Sequence, residues 1–321
     1  VHYNQSGNDN YNAAPEVTQT TTAVPASTTS TDTISPNPQQ YSDKVTFTAT
    51  LSPASINGNA PATGVTFYVG TQNMGSCTLA VDNGSLTCQL ANVPLLEPTP
   101  YGTAPTGQMT PGNRTVRAVF SGINPNFAVN DATATLTINR EDARAEYIGD
   151  TYVSTGSATS STATILLAAT IRDITAVDSS DPNAGDIRNA RVTFVNRDTS
   201  TPISGCTNLP VGLVNPSDTK VGTVSCNWTA NIGSSDSVNY TIGIIVNHYY
   251  TRDSSDDNTV VTVSKSMNNF ITGGGYININ NSSGICPAAT GSKTNFGFNV
   301  KYNKSFTNLQ GNMNIILRSA T

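Results

Sequence analysis

The sequence predicts an all-β chain of tandem sandwiches with a partial β domain at its end. Three observations carry this prediction. Thr- and Val-rich runs alternate apolar and polar residues with period 2, and no apolar stripe of period 3.6 reaches helical length. The runs also recur in the same order twice. Residues 45–138 hold Val45-Thr-Phe-Thr-Ala-Thr50, Gly64-Val-Thr-Phe-Tyr-Val69, Cys77 and Cys88, Arg117-Ala-Val-Phe-Ser-Gly122, and Ala132-Thr-Ala-Thr-Leu-Thr-Ile138. Residues 163–263 hold Ala163-Thr-Ile-Leu-Leu-Ala-Ala-Thr170, Arg191-Val-Thr-Phe-Val195, Cys206 and Cys226, Ile242-Gly-Ile-Ile-Val246, and Thr259-Val-Val-Thr-Val263. Finally, the text between runs is rich in Thr, Ser, Asn and Gly, the residues of turns.

Residues 1–20 read as the last hairpin of a preceding repeat. Val1-His-Tyr-Asn-Gln-Ser-Gly7 with Asn10-Tyr-Asn-Ala-Ala14 matches Val119-Phe-Ser-Gly122 with Asn126-Phe-Ala-Val129. A chain opening on a repeat tail reads as a piece of a longer array. Residues 21–139 form the first full domain, entered through a Thr/Ser-rich stretch with Pro25, Pro36 and Pro38 that suits a linker and an edge strand. Its cysteines flank Asp82-Asn-Gly84, a hairpin signal. A turn at Asp82-Asn83 sets Cys77 opposite Cys88. A type I′ turn at Asn83-Gly84 offsets them by two residues and makes the bridge diagonal. Five prolines at 94, 98, 100, 105 and 111 mark a long irregular loop.

Residues 140–266 form the second domain, opening on the charge-dense junction Glu141-Asp-Ala-Arg144. Its loops are longer and acidic. From residue 267 to 321 the texture changes to Phe270-Ile-Thr-Gly-Gly-Gly-Tyr276, Asn295-Phe-Gly-Phe-Asn-Val-Lys-Tyr302 and Asn312-Met-Asn-Ile-Ile-Leu-Arg318, the partial C-terminal β domain.

Composition bounds the function. Only 12% of residues are charged and the net charge is −5 with no basic cluster, so electrostatic binding to nucleic acid is excluded. No apolar run approaches the roughly 20 residues of a membrane span. The five cysteines lack metal-ligand spacing. Two local pairs, Cys77 with Cys88 and Cys206 with Cys226, read as disulfides of a secreted, cell-surface protein and leave Cys286 over.

Short strands with turn signals about every 8–12 residues, at about 100 residues per unit, describe immunoglobulin-like β-sandwiches. Residues 20–140 resemble the bacterial immunoglobulin-like tandem repeats of large secreted or cell-surface proteins of adhesin type. Ser35-Pro-Asn-Pro, Val45-Thr-Phe-Thr-Ala-Thr, Gly64-Val-Thr-Phe-Tyr, Val119-Phe-Ser-Gly with Asn126-Phe, and the closing Ala-Thr-Ala-Thr-Leu-Thr strand carry the resemblance. Residues 140–318 are similar to the C-terminal portions of such proteins, through Ile271-Thr-Gly-Gly-Gly-Tyr and Asn295-Phe-Gly-Phe-Asn-Val-Lys-Tyr. The resemblance implies a non-catalytic stalk or spacer, with neighbouring repeats of the same or an adjacent chain as partners. Cell-surface glycans or proteins are the further partners it implies.

The chemical lead is acidic. Asp173, Asp178, Asp181 and Asp186 lie on one loop and Asp253, Asp256 and Asp257 on another, and both loops leave the same end of such a sandwich. Convergent carboxylates would need a hard cation, so Ca²⁺ is the one candidate cofactor, against solvated turns that cap themselves. No catalytic set is legible. His2 and His248 have no motif around them, and Gly273-Gly-Gly275 is followed by neither Lys-Ser/Thr nor a helix. A carbohydrate-binding alternative rests on Tyr249-Tyr250 beside the acidic loop. Trp228, the only tryptophan, reads as packing on its neighbouring disulfide. Strand donation between subunits of a self-assembling filament is the third reading.

Overall fold

The structure, a computed structural model, describes residues 2–98, 100, 107–267, 270–305 and 307–318. Residues 99 and 101–106 of the proline-rich loop therefore lie outside the described residues. The chain divides into two compact units, Val1–Ser35, Thr46–Ala91 and Thr115–Thr135 in one, and Pro36–Val45, Asn92–Arg114 and Leu136–Thr321 in the other.

The opening residues form an antiparallel ribbon of β1 (His2–Gln5) and β2 (Ala14–Thr18). Next come β3 (Ala26–Ser27), β4 (Thr29–Ser35), β5 (Gln39–Gln40), β6 (Lys44–Ser52), β7 (Gly64–Val69), β8 (Gln72–Thr78), β9 (Ala80–Asp82) and β10 (Ser85–Pro94). β11 (Gly112–Ser121), β12 (Phe127–Ala128) and β13 (Ala132–Asn139) complete the set. One sheet has the order β4-β6-β10-β9 and the other β5-β13-β11-β7-β8, while β12 pairs in parallel with β3. The initial edge is thus split, β4 joining one sheet and β5 running parallel to β13 in the other. This is the immunoglobulin-like arrangement the repeat implied.

The alternation in β6 works as read. Val45, Phe47, Ala49 and Leu51 are buried while the threonines between them are half-buried. Val65, Phe67 and Val69 do the same on β7, and the rings of Phe47 and Phe67 stack at 5.5 Å. One inward position breaks the pattern. Asp32 on β4 is 9% exposed, and neither carboxylate oxygen has a hydrogen-bond partner among the described residues.

The second set comprises β14 (Glu141–Tyr147), β15 (Tyr152–Ser154), β16 (Thr162–Asp173), β17 (Ala190–Asn196), β18 (Thr201–Pro202), β19 (Leu209–Pro210), β20 (Gly212–Asn215) and β21 (Asp218–Asn231). β22 (Ser237–His248), β23 (Tyr250–Asp253) and β24 (Thr259–Ser264) close it. β14-β16-β21-β20 forms one layer. β15-β24-β22-β17 forms the other, with β18 and β19 on β17. β23 pairs with both β22 and β14, joining the layers into one 11-stranded path. Helix is confined to three single turns among the described residues, and no helix there is long and apolar enough to cross a membrane.

Both cysteine pairs are disulfides, and neither is a cross-strand hairpin bridge. Ser85 faces Asp82, so the turn is Asn83-Gly84, with positive φ at both residues. The chain changes sheet at Leu79. Cys77 therefore sits on β8 in the five-stranded sheet and Cys88 on β10 in the four-stranded one, with Cα atoms 6.0 Å apart. Cys206 and Cys226 repeat the device. Cys226 lies on β21, while the Cys206 carbonyl accepts from Phe194 N on β17 of the opposite layer, and their Cα atoms are 5.6 Å apart. Each staple thus ties sheet to sheet, and Cys286 is a free, exposed thiol.

The C-terminal strands β25 (Phe270–Asn278), β26 (Lys293–Tyr302) and β27 (Leu309–Ile316) form a three-stranded antiparallel sheet. Its inward face is the polar one. Asn295 Nδ2 donates to Thr259 Oγ1 at 2.9 Å, Asn239 Nδ2 donates to the Gly297 carbonyl, and Lys301 pairs with Asp236. Ile271, Leu309, Met313 and Ile315 stand on the exposed face. Gly297 allows this close approach. A Cβ there would overlap Thr262 Oγ1 and lie 2.8 Å from Val260 Cγ1. Gly297→Ala is therefore expected to cost about 1–2 kcal/mol by overpacking. Hydrogen exchange at β26 should read it as lost protection, and unchanged protection would refute the close packing.

Candidate functional site

A buried polar cluster lies within the second unit, where Tyr41, Ser42, Glu97 and Thr110 meet Glu141, Asn189 and Tyr249. Its origin is a break in alternation. β22 ends at His248, whose φ of 72° turns the chain so that the adjacent residues Tyr249 and Tyr250 both point inward, each 0% exposed. Tyr41 meets both edge-on, at 4.9 and 6.0 Å between ring centroids.

Each hydroxyl has a partner. Tyr250 Oη donates to Asp173 Oδ2 at 2.8 Å, Tyr249 Oη donates to Glu97 Oε1 at 2.6 Å, and Tyr41 Oη accepts from Asn189 Nδ2 at 2.8 Å. Asp173 also accepts from Gly185 N at 2.9 Å, Thr175 N at 3.0 Å and Thr175 Oγ1 at 2.7 Å. A fully buried carboxylate is thus satisfied by four donors. Glu141, also 0% exposed, accepts from Ser42 Oγ at 3.0 Å and from Asp142 N at 2.7 Å. Burial pushes its pKa up to about 8. Burial and the nearby Asp173 hold Tyr250 well above the usual tyrosine value.

The connector is held by the same cluster. Only Arg140 separates β13 from β14. Tyr41 N donates to the Asn139 carbonyl at 2.9 Å and Glu141 N to the Tyr249 carbonyl at 2.8 Å. Gly185 sits against the rings, where a Cβ would overlap Tyr250 Oη and lie 2.8 Å from Tyr41 Cε1.

Six of the seven aspartates named as candidate cation ligands have separate hydrogen-bond or ion-pair partners. Asp178 and Asp181 accept from backbone amides two residues on, at Ser180 and Asn183. Asp186 pairs with Arg188, Asp253 with Arg197, and Asp257 with Arg252, while Asp256 caps nothing and lies exposed. Asp173 is the buried partner of Tyr250. Among the described residues no three His, Cys, Asp or Glu side chains stand together as a metal site.

The tyrosine pair needs correction as a sugar platform. Tyr249 and Tyr250 have no exposed face to stack on. Trp228 contacts Tyr240 edge-on at 4.9 Å. His248 Nε2 lies 3.0 Å from Asn208 Oδ1, and His2 pairs with Glu16 on the exposed ribbon.

A cleft of about 610 Å³ opens between β14, β16, the turn before β24 and the C-terminal sheet, all in the second unit. Arg144, Arg172, Lys293 and Arg318 line it with Glu146 and Tyr276. Arg172 and Lys293 share Glu146, and together they hold its carboxyl below the usual range. Arg318 donates to the carbonyls of Asp256, Asn258 and Lys293 and to Asn295 Oδ1. Sequence reasoning noticed Arg144 only as part of a charged junction. Nothing in the text joined it to Arg318.

Neither a family model nor a curated relative matches the sequence. Solved structures that are similar include the Yersinia pseudotuberculosis adhesin InvE, at 17% identity and a TM-score of 0.35, covering 85% of this chain and 67% of that one. Invasin, a bacterial integrin-binding protein, is similar at 12% identity and a TM-score of 0.33, with 86% of this chain and 46% of that one covered. The Escherichia coli adhesin FdeC follows at 11% identity and 0.25, with 91% and 88% covered. Likenesses at these scores assign no function.

Proposed function

We propose that the chain is a non-catalytic spacer segment of a secreted bacterial surface protein of adhesin type. The observation that carries this reading is the locked connector. Arg140 is flanked by backbone hydrogen bonds from Tyr41 and to Tyr249, and buried aromatic and carboxyl groups surround them. Arg140 itself is exposed, but a hydrogen bond on each side of it fixes the backbone, and Glu141 immediately after it is fully buried. Two further features support it. Each sandwich carries an inter-sheet disulfide, which suits an oxidising exterior and limits the chain that load can release. The buried carboxylates Glu141 and Asp173 have no exposed face for a substrate.

Pulling the chain from its two ends tests the reading. The disulfides shunt 11 and 20 residue steps, so full extension should be roughly 100 Å shorter oxidised than reduced. The connector should add no lengthening before the sheets rupture. Soft extension of the connector at low force would overturn the spacer role.

A further inference from the structure

We propose that the cleft between β14, β16 and the C-terminal sheet binds an acidic saccharide, a polyhydroxylated sugar bearing a carboxylate or sulfate. The first ground is charge placement. Arg144 and Arg172 are directly opposed in the β14–β16 register, although like charges facing across a ladder repel. Arg144 is exposed, and its guanidinium donates to the Ala143 carbonyl at 3.3 Å with the Asp178 carboxylate within electrostatic reach. Arg318 bonds to carbonyl oxygens alone, with the carboxylates of Asp256 and Asp257 nearby rather than in an ion pair. In a chain of net charge −5, a cleft lined by four cations against the three carboxylates Glu146, Asp256 and Asp257 carries a local positive excess. An anionic group set between Arg144 and Arg172 relieves their repulsion.

The second ground is the rest of the wall. Tyr276 is 52% exposed, and Lys293 Nζ lies 4.4 Å from its ring centroid. A half-exposed ring offers a face for the C–H side of a pyranose. Glu146 and Asp256 accept hydroxyl donors while repelling a bare multivalent anion, and the half-buried Asn258 amide bonds in either direction. The volume, about 610 Å³, lies within the about 300–1,000 Å³ of small-ligand sites.

Calorimetric titration of the full chain tests the assignment, with trigalacturonate, a sulfated galactose trisaccharide, neutral galactotriose and inorganic phosphate as probes. At least one acidic saccharide is expected to bind on the order of tenfold more tightly than galactotriose and phosphate. Arg144→Gln, at an exposed position, should abolish that preference with melting unchanged. Tyr276→Ala should weaken both acidic and neutral sugars, which keeps the test open if the arginine variant misfolds. The carboxylate and sulfate probes identify which anion is read. Equal binding of galactotriose, phosphate binding as tight as the saccharides, a silent Arg144→Gln, or no binding at millimolar concentration would each overturn the proposal. None of these outcomes bears on the pulling experiment, so spacer and saccharide site stand or fall separately.

Discussion

Tyr250→Ala is expected to destabilise the second unit by about 3–5 kcal/mol, the range for truncating a large buried aromatic. The side chain is 0% exposed and packs edge-on to Tyr41, so the cavity would open inside the cluster that holds the connector. Truncation also removes one of four donors to Asp173, and a buried carboxylate short of a donor costs about 1–3 kcal/mol by itself. Tyr250→Phe separates the two losses. It keeps the ring and deletes the hydroxyl, and should cost only the smaller amount. Trp228, the only tryptophan, lies in this unit and reports its unfolding in urea without interference from the first unit. If the alanine variant unfolds within 1 kcal/mol of the parent (a factor of about five in the equilibrium), the cluster does not hold the unit together.

The strands were legible because burial on one face writes itself as period 2, as in Val45 to Leu51. The cysteine pairs were legible because both occupy the same slot of the repeat. Their geometry was not, since it depends on the chain changing sheet at Leu79, an event that leaves no mark on alternation. The Tyr249-Tyr250 reading failed for a related reason. Two adjacent inward side chains require the positive φ of His248, and histidine carries no signal for it. The density of the acidic loops left two readings open, a shared cation and turns that cap themselves. Asp178, Asp181 and Asp186 each accept from a backbone amide two residues on, the local turn chemistry of aspartate. In the C-terminal sheet the alternation in Asn295 to Tyr302 gave the strand and hid its orientation, because the glycine and asparagine face is the one pressed on Thr262 and Val260.

Raising the pH is expected to weaken both units, through one buried acid in each. Burial lifts Glu141 from 4.5 to about 8 and Asp32 from 3.8 to about 7. An acid whose folded pKa is raised binds its proton more tightly in the native state. Its stabilisation is complete below the unfolded value and is lost as the pH climbs through the folded one. The window is therefore about pH 4 to 8. At 1.36 kcal/mol per unit, shifts of this size allow up to about 5 kcal/mol, and with some relaxation around each charge about 2–3 kcal/mol per group is the expected loss. His248 is held below its ordinary value by burial and by Arg191 and Arg140, and works in the opposite direction on the acid side of its unfolded value of 6.5. Comparison with variants removes that contribution. Glu141→Gln keeps an acceptor for Ser42 and should flatten the fall of the Trp228-monitored midpoint between pH 5 and 9, below the titration of the raised tyrosines. Asp32→Val places an apolar side chain on the buried face of β4. It should stabilise the first unit by more at pH 9 than at pH 5, read as hydrogen-exchange protection of residues 46–91. Parallel pH profiles for parent and variants would mean that neither carboxyl is desolvated as its position implies.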